Sequence, residues 1–134
     1  MSADLRLTVR EAGDRLAVLT LTGALDFRTA DGFHEQATAV LTTRRHVVLD
    51  MSQVTFCDSS GLSTLLRLLR HAQTNDATLA LAAVPAQTQR LLAITGAHTV
   101  FSIHASLMEA LAAQQETAPY RRPSSAARAE GAAT

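Results

Sequence analysis

The chain has 134 residues, enough for one domain around one core and too few for a second folded unit. Twelve basic and twelve acidic residues cancel, so no broad positive field draws it to nucleic acid or an anionic membrane, and direct DNA binding is disfavoured. Apolar residues make up 47% and charged residues 18%, no apolar run approaches the roughly 20 residues that span a bilayer, and a single cysteine excludes an internal disulfide.

The start of the chain carries no apolar leader, and the lone Cys57 agrees with a reducing compartment, so the protein reads as soluble and cytoplasmic. Leu5, Leu7 and Val9 alternate with Arg6, Thr8 and Arg10, the two-residue period of a strand with one covered face. Ala12-Gly13-Asp14 supplies a turn, and the apolar run Leu16 to Leu21 makes a second strand, hairpinned to the first and ended by Gly23. Ala24 to Thr29 is a loop. A helix is predicted over about 30–42, with Thr29 as its cap, Asp31 suited to the dipole of its first turn, and Phe33, Ala37, Val40 and Leu41 inward.

Val47, Val48, Leu49 and Met51 have the apolar, β-branched character of a buried strand. The polar loop that follows ends in Asp58-Ser59-Ser60-Gly61. Leu62, Leu65, Leu66, Leu69 and Ala72 then recur at helical spacing, with Arg67, Arg70 and Gln73 on the opposite face. Thr74-Asn75-Asp76 turns the chain into a strand over 78–84, and Pro85 opens a short helix closed by Gly96. A brief strand over 99–103 precedes a last helix, started by the capping-box spacing of Ser106 and Glu109, with Leu107, Met108, Leu111 and Ala110 inward. From Thr117 onward Pro, Ser and Gly break every pattern, so residues 1–116 are expected to form the domain and 117–134 a disordered tail.

Strands alternating with helices form right-handed crossovers between parallel strands in nearly all cases. The predicted fold class is therefore α/β: a mixed sheet of four to five strands, with an N-terminal hairpin, a parallel core and about four helices. In that arrangement the loops 24–29 and 54–61 leave one edge of the sheet, beyond the carboxyl ends of parallel strands, where sites in open α/β sheets gather.

At that edge the helix starting near Ser59 places hydroxyls beside unpaired backbone N–H groups and partial positive charge, a setting that suits an anion. The plain alternative is that Asp58, Ser59 and Ser60 only cap the helix, worth roughly 0.5–2 kcal/mol. Catalysis has little support. His34, His46, His71, His98 and His104 are scattered, none close to Ser59 in sequence, and the GxSxG elbow is absent. Cys57, between Phe56 and the polar loop, reads as a small core residue. No catalytic residue, cofactor or metal site is assigned.

Asp50-Met51-Ser52, then Val54-Thr55-Phe56-Cys57-Asp58-Ser59-Ser60-Gly61-Leu62, with Gly23-Ala24-Leu25-Asp26 upstream, resembles the signature of bacterial anti-sigma factor antagonists, the stand-alone STAS domains, over roughly residues 5–115. The resemblance implies a non-enzymatic regulator of transcription, of the partner-switching kind found in stress responses. Unphosphorylated protein would bind an anti-sigma factor and free a sigma factor, and phosphorylation would end the contact. Ser59 matches the phosphoacceptor of a GHKL-type serine kinase using Mg-ATP, which is also the anti-sigma factor, with a PP2C-type phosphatase restoring the hydroxyl.

In the same resemblance Asp26 matches a partner-contact residue, Asp58 shapes the loop and is a candidate to orient the hydroxyl, Ser60 and Gly61 set the helix start, and Thr55 is a lesser contact. For Asp26 the plain alternative is a turn-former after Gly23. Two other functions stay open. The same fold serves as an accessory subunit of ABC-type lipid or solvent transporters, where this surface would be a constitutive protein contact. A small hydrolase using Ser59 is the third, and it lacks an evident base.

Overall fold

Alternating side chains at the start of the chain build a hairpin. β1 (Arg6–Gly13) and β2 (Leu16–Leu25) pair antiparallel around Asp14-Arg15, one residue later than Ala12-Gly13-Asp14 suggested, with Arg15 at φ 61° closing the turn. The computed structural model describes residues 5–117. After the hairpin come α1 (Ala30–Thr43), β3 (His46–Cys57), α2 (Ser59–Thr74), β4 (Thr78–Ala82) and α3 (Ala86–Thr95). A 3-10 turn (Ala97–Thr99), β5 (Ser102–His104) and α4 (Leu107–Thr117) complete the described residues. The tail expected over 117–134 lies, apart from Thr117, outside them.

The five strands form one mixed sheet in the order β1-β2-β3-β4-β5, parallel from β2 onward. Helices cover its two faces unequally. Phe33, Ala37 and Leu41 of α1, Leu62, Leu65, Leu68 and Ala72 of α2 and Leu92 of α3 pack on Leu19, Leu21, Val47, Leu49, Met51, Leu79 and Leu81. On the other face, among the described residues, α4 alone brings Leu107, Ala110 and Leu111 against Leu16, Val48, Ala80 and Ala82. Each fully buried leucine contributes about 1.5–3 kcal/mol relative to exposure, so the first face holds most of the apolar stabilisation.

β3 is the strand that departs most from its sequence reading. The apolar run suggested only 47–51 and left the rest as loop, but pairing with β2 continues to Leu25↔Cys57. It does so through two irregularities, one between Thr20 and Thr22 of β2 and one between Gly23 and Ala24. In each, β3 contributes one residue more than β2, the signature of a β-bulge. The inward positions on β3 therefore run Leu49, Met51, Val54 and Cys57, a spacing of two and then three that conceals a strand from any search for alternation. Gly23 stands at the second bulge with φ 121°, a conformation side chains rarely adopt.

Smaller differences have local causes. β4 ends at Ala82, short of the predicted Val84, because Ala83 takes φ 55° and turns the chain. β5 is confined to Ser102–His104, since the preceding residues tighten into the 3-10 turn. Leu68 of α2 is fully buried while Leu66 and Leu69 are half-buried, and Met108, expected inward, is 80% exposed. Ser106 caps α4 as its spacing implied, its Oγ accepting the Glu109 N–H at 3.1 Å. No helix among the described residues is long and apolar enough to cross a membrane.

Candidate functional site

β2 and β3 run parallel and end side by side, so the loops they feed emerge together. After Leu25↔Cys57, the Asp58 N–H still donates to the Leu25 carbonyl at 3.3 Å. Gly61 then lies against that same carbonyl: a Cβ added there would stand 2.4 Å from Leu25 O and 2.9 Å from Cys57 Sγ. Only glycine permits so close an approach of α2 to β2. The segments carrying Asp26 and Ser59 are thus joined at their roots.

Asp58 is the N-cap of α2, in extended conformation, and its Oδ1 accepts the Gly61 N–H at 3.0 Å. Ser59 is the first helical residue and is exposed, and no described residue accepts a hydrogen bond from its hydroxyl. Ser60 is half-buried, its carbonyl accepting from Thr64 Oγ1 at 3.0 Å. Asp58 makes no bond to either serine hydroxyl, so it shapes the loop without orienting them.

Asp26 is a turn-former in the structure. Its Oδ1 accepts the N–H groups of Arg28 at 2.9 Å and Thr29 at 3.3 Å. Thr29 stands at the N-cap position of α1 as expected, but its side chain makes no cap bond and ties the loop together instead: its hydroxyl donates to the Ala24 carbonyl at 2.8 Å and accepts the Asp26 N–H at 3.0 Å. Thr55 is exposed and is the extra residue of the second bulge of β3.

Between the first turns of α1 and α2 lies an open groove of about 470 Å³, lined by Phe27, Asp31, Ser59, Ser60, Ser63 and Arg67 among others. Phe27 and Arg67 were not singled out by the sequence. Phe27 is 72% exposed beside Asp26, and Phe56 is 47% exposed at the end of β3. An aromatic next to a Gly-x-Leu-Asp turn was the available signal for Phe27. Arg67 looked like one more charge on a solvated helix face. Its charge is nevertheless felt across the seam: burial first, then Arg67 and His71, hold the His34 imidazole below its ordinary pKa.

The remaining reactive groups offer no catalytic set. No histidine lines the groove. His46 is buried with Nδ1 2.8 Å from Thr78 Oγ1, far along β3 from the site. Cys57 is fully buried, and burial followed by the Asp58 charge pushes its thiol up to about 12, so it stays protonated near neutrality. Among the described residues no cluster of His, Cys, Asp and Glu could hold a metal.

The family model of the STAS domain matches residues 8–110. The chain belongs to the STAS domain family. This STAS domain is 32% identical over 85 residues to a STAS-domain containing protein of Pseudomonas aeruginosa, covering 63% of this chain and 84% of that one. It is 28% identical over 96 residues to an anti-sigma F factor antagonist of Paenibacillus polymyxa, covering 70% and 82%. In three dimensions it is similar to an anti-sigma factor antagonist from Mycobacterium paratuberculosis, with a TM-score of 0.74 at 26% identity over 83% of this chain and 94% of that one. The fold also matches a sulfate transporter family protein from Wolinella succinogenes, with a TM-score of 0.68 at 18% identity over 80% and 90%. The STAS fold is therefore common to chains with different tasks, and function has to be argued from the site.

Proposed function

We propose that this STAS domain is an anti-sigma factor antagonist whose binding is switched by phosphorylation of Ser59. The observation that carries it is the exposed Ser59 hydroxyl in the first turn of α2, at the same sheet edge as the Asp26 loop. Unphosphorylated protein binds an anti-sigma factor that is also a GHKL-type serine kinase, and a sigma factor is released. Asp26, Asp58, Ser59, Ser60, Gly61 and Thr55 belong to the contact surface, Gly61 by letting the two loops meet. A PP2C-type phosphatase reverses the switch. In this reading the domain itself catalyses nothing; its groove holds hydroxyls and the Asp31 carboxylate but no histidine.

The physics of such a switch is sufficient without a change of fold. A phosphate adds about −1.5 to −2 charges at neutral pH. Placed about 4 Å from a partner carboxylate or nucleotide phosphate, each like-charge pair costs roughly 4 kcal/mol at an effective dielectric near 20. That corresponds to on the order of a thousandfold in affinity. Exposed Phe27 beside the groove suits an anchor residue in a protein interface.

Incubation with candidate kinases and Mg-ATP, followed by peptide mass spectrometry, should place phosphate on Ser59. Ser59→Ala should bind the same partner constitutively, and Ser59→Asp should fold but bind at least about a hundredfold more weakly, about 2.7 kcal/mol. Equal binding by both variants and wild type would remove the switch. Likeness to a transporter-family protein supports a second function, a constitutive docking module of a transporter. Co-purification with a transport ATPase, unaffected by substitution of Ser59, would favour that one instead.

A further inference from the structure

β4 stops pairing with β3 at Asp50↔Ala82, and Ala83 then turns the chain away. From Met51 to Cys57, β3 has β2 on one side and, among the described residues, no strand of the sheet on the other. At the end of this open side a side chain takes the place of a strand. Gln87, in the first turn of α3, accepts the Cys57 N–H on Oε1 at 3.0 Å and donates from Nε2 to the Cys57 carbonyl at 2.8 Å. The hydroxyl of buried Thr88 donates to the same Oε1 at 3.3 Å, which fixes the amide with its oxygen towards the N–H.

Cys57 directly precedes the cap Asp58 and stands two positions before Ser59. On its other side it pairs with Leu25, whose carbonyl touches the Gly61 turn. The direction in which the chain enters α2 is therefore held from two sides, by a strand and by one glutamine. A filler for the α3 contact needs no polar atoms, whereas Gln87 spends both of its polar atoms on the N–H and the carbonyl of a single residue of the switch segment.

We propose that Gln87 is the positioning residue of the Ser59 segment. By clasping Cys57 it sets the presentation of Ser59 to a modifying enzyme or partner and makes α3 part of the switch, its functional half resting on Ser59 as the phosphoacceptor.

Amide hydrogen exchange on the full chain tests the clasp directly. In Gln87→Ala the Cys57 amide should exchange about tenfold faster or more, and the Gly61 amide held by Asp58 should follow, while Val47 to Leu49 keep wild-type protection. Gln89→Ala, which loses only the bond from Gln89 Nε2 to the Val84 carbonyl, should leave Cys57 protected. Gln87→Glu puts a carboxylate oxygen where the Nε2 donor met the Cys57 carbonyl, and that repulsion should push the side chain off Cys57 at neutral pH. Its Cys57 protection, taken as a ratio to wild type at each pH, should be low at pH 7 and recover below about pH 4 as the new carboxyl protonates. General loosening of α3 would not reverse with pH, and the Glu variant decides the matter should Gln87→Ala fail to fold.

Unchanged Cys57 protection in Gln87→Ala, or a loss spread evenly through the sheet, would overturn the clasp. With a kinase that modifies wild-type Ser59, Gln87→Ala should lose about tenfold or more in kcat/KM, and equal values would overturn its functional half. Failure of every kinase on wild type would instead remove Ser59 as the acceptor, with the exchange data still deciding what Gln87 does.

Discussion

Asp58 and Gly61 fix the start of α2 by opposite means, one through a bond and the other through the lack of a side chain. Asp58→Ala removes the acceptor of the Gly61 N–H and should cost about 1 kcal/mol in urea unfolding, with Asp58→Asn close to wild type. Gly61→Ala forces a methyl against the Leu25 carbonyl and the Cys57 sulfur, and should cost roughly 1–3 kcal/mol or more while displacing the Asp26 loop. Cys57 adds a pH dependence of known sign. Its folded thiol is raised to about 12, above the unfolded value of about 8.5, so the unfolded chain loses its proton first. Stability should be unaffected by this group below about pH 8.5 and fall as pH rises towards 12, a slope missing from Cys57→Ala melting curves. At pH 8 alkylation should proceed only through unfolding; fast labelling of the native protein would contradict the burial. Asp58, Ser59 and Gly61 were legible because they stand together where an apolar strand gives way to an amphipathic helix, the place where such residues cap. Gln87 was not, since a glutamine in a helix's first turn says nothing about a backbone thirty positions earlier.

At the scale of elements, α2 was readable because its apolar stripe is dense, yet the sequence placed its centre slightly wrong. Leu66 and Leu69 looked inward, whereas Leu68 is the fully buried one, on a face that three helices share. Leu68→Ala should cost about 2–5 kcal/mol, and Leu69→Ala clearly less, by thermal or urea unfolding. The reverse order would mean that α2 is rotated about its axis. β3 was only half readable. Ser52, Gln53 and Thr55 look like loop residues, and the bulges that turn them outward are set by pairing with β2, a partner no local window contains.

For the whole molecule, alternation of strand and helix was enough to predict a mixed sheet with a hairpin at one end, and with it the convergence of the Asp26 and Ser59 loops at one edge. Which helices share a face follows from packing and was not predicted. The bulges of β3 carry a further consequence at this scale. Each bulge takes up its extra residue without turning the strand over, since Val54, between the two, is buried like Met51 before them and Cys57 after them. Loss of one residue at either bulge should therefore leave Cys57 facing the core, whereas loss of one from the regularly paired 46–50 would set the two ends of the strand out of phase. Natural length variation in β3 should fall at the bulges and be absent from the regular stretch.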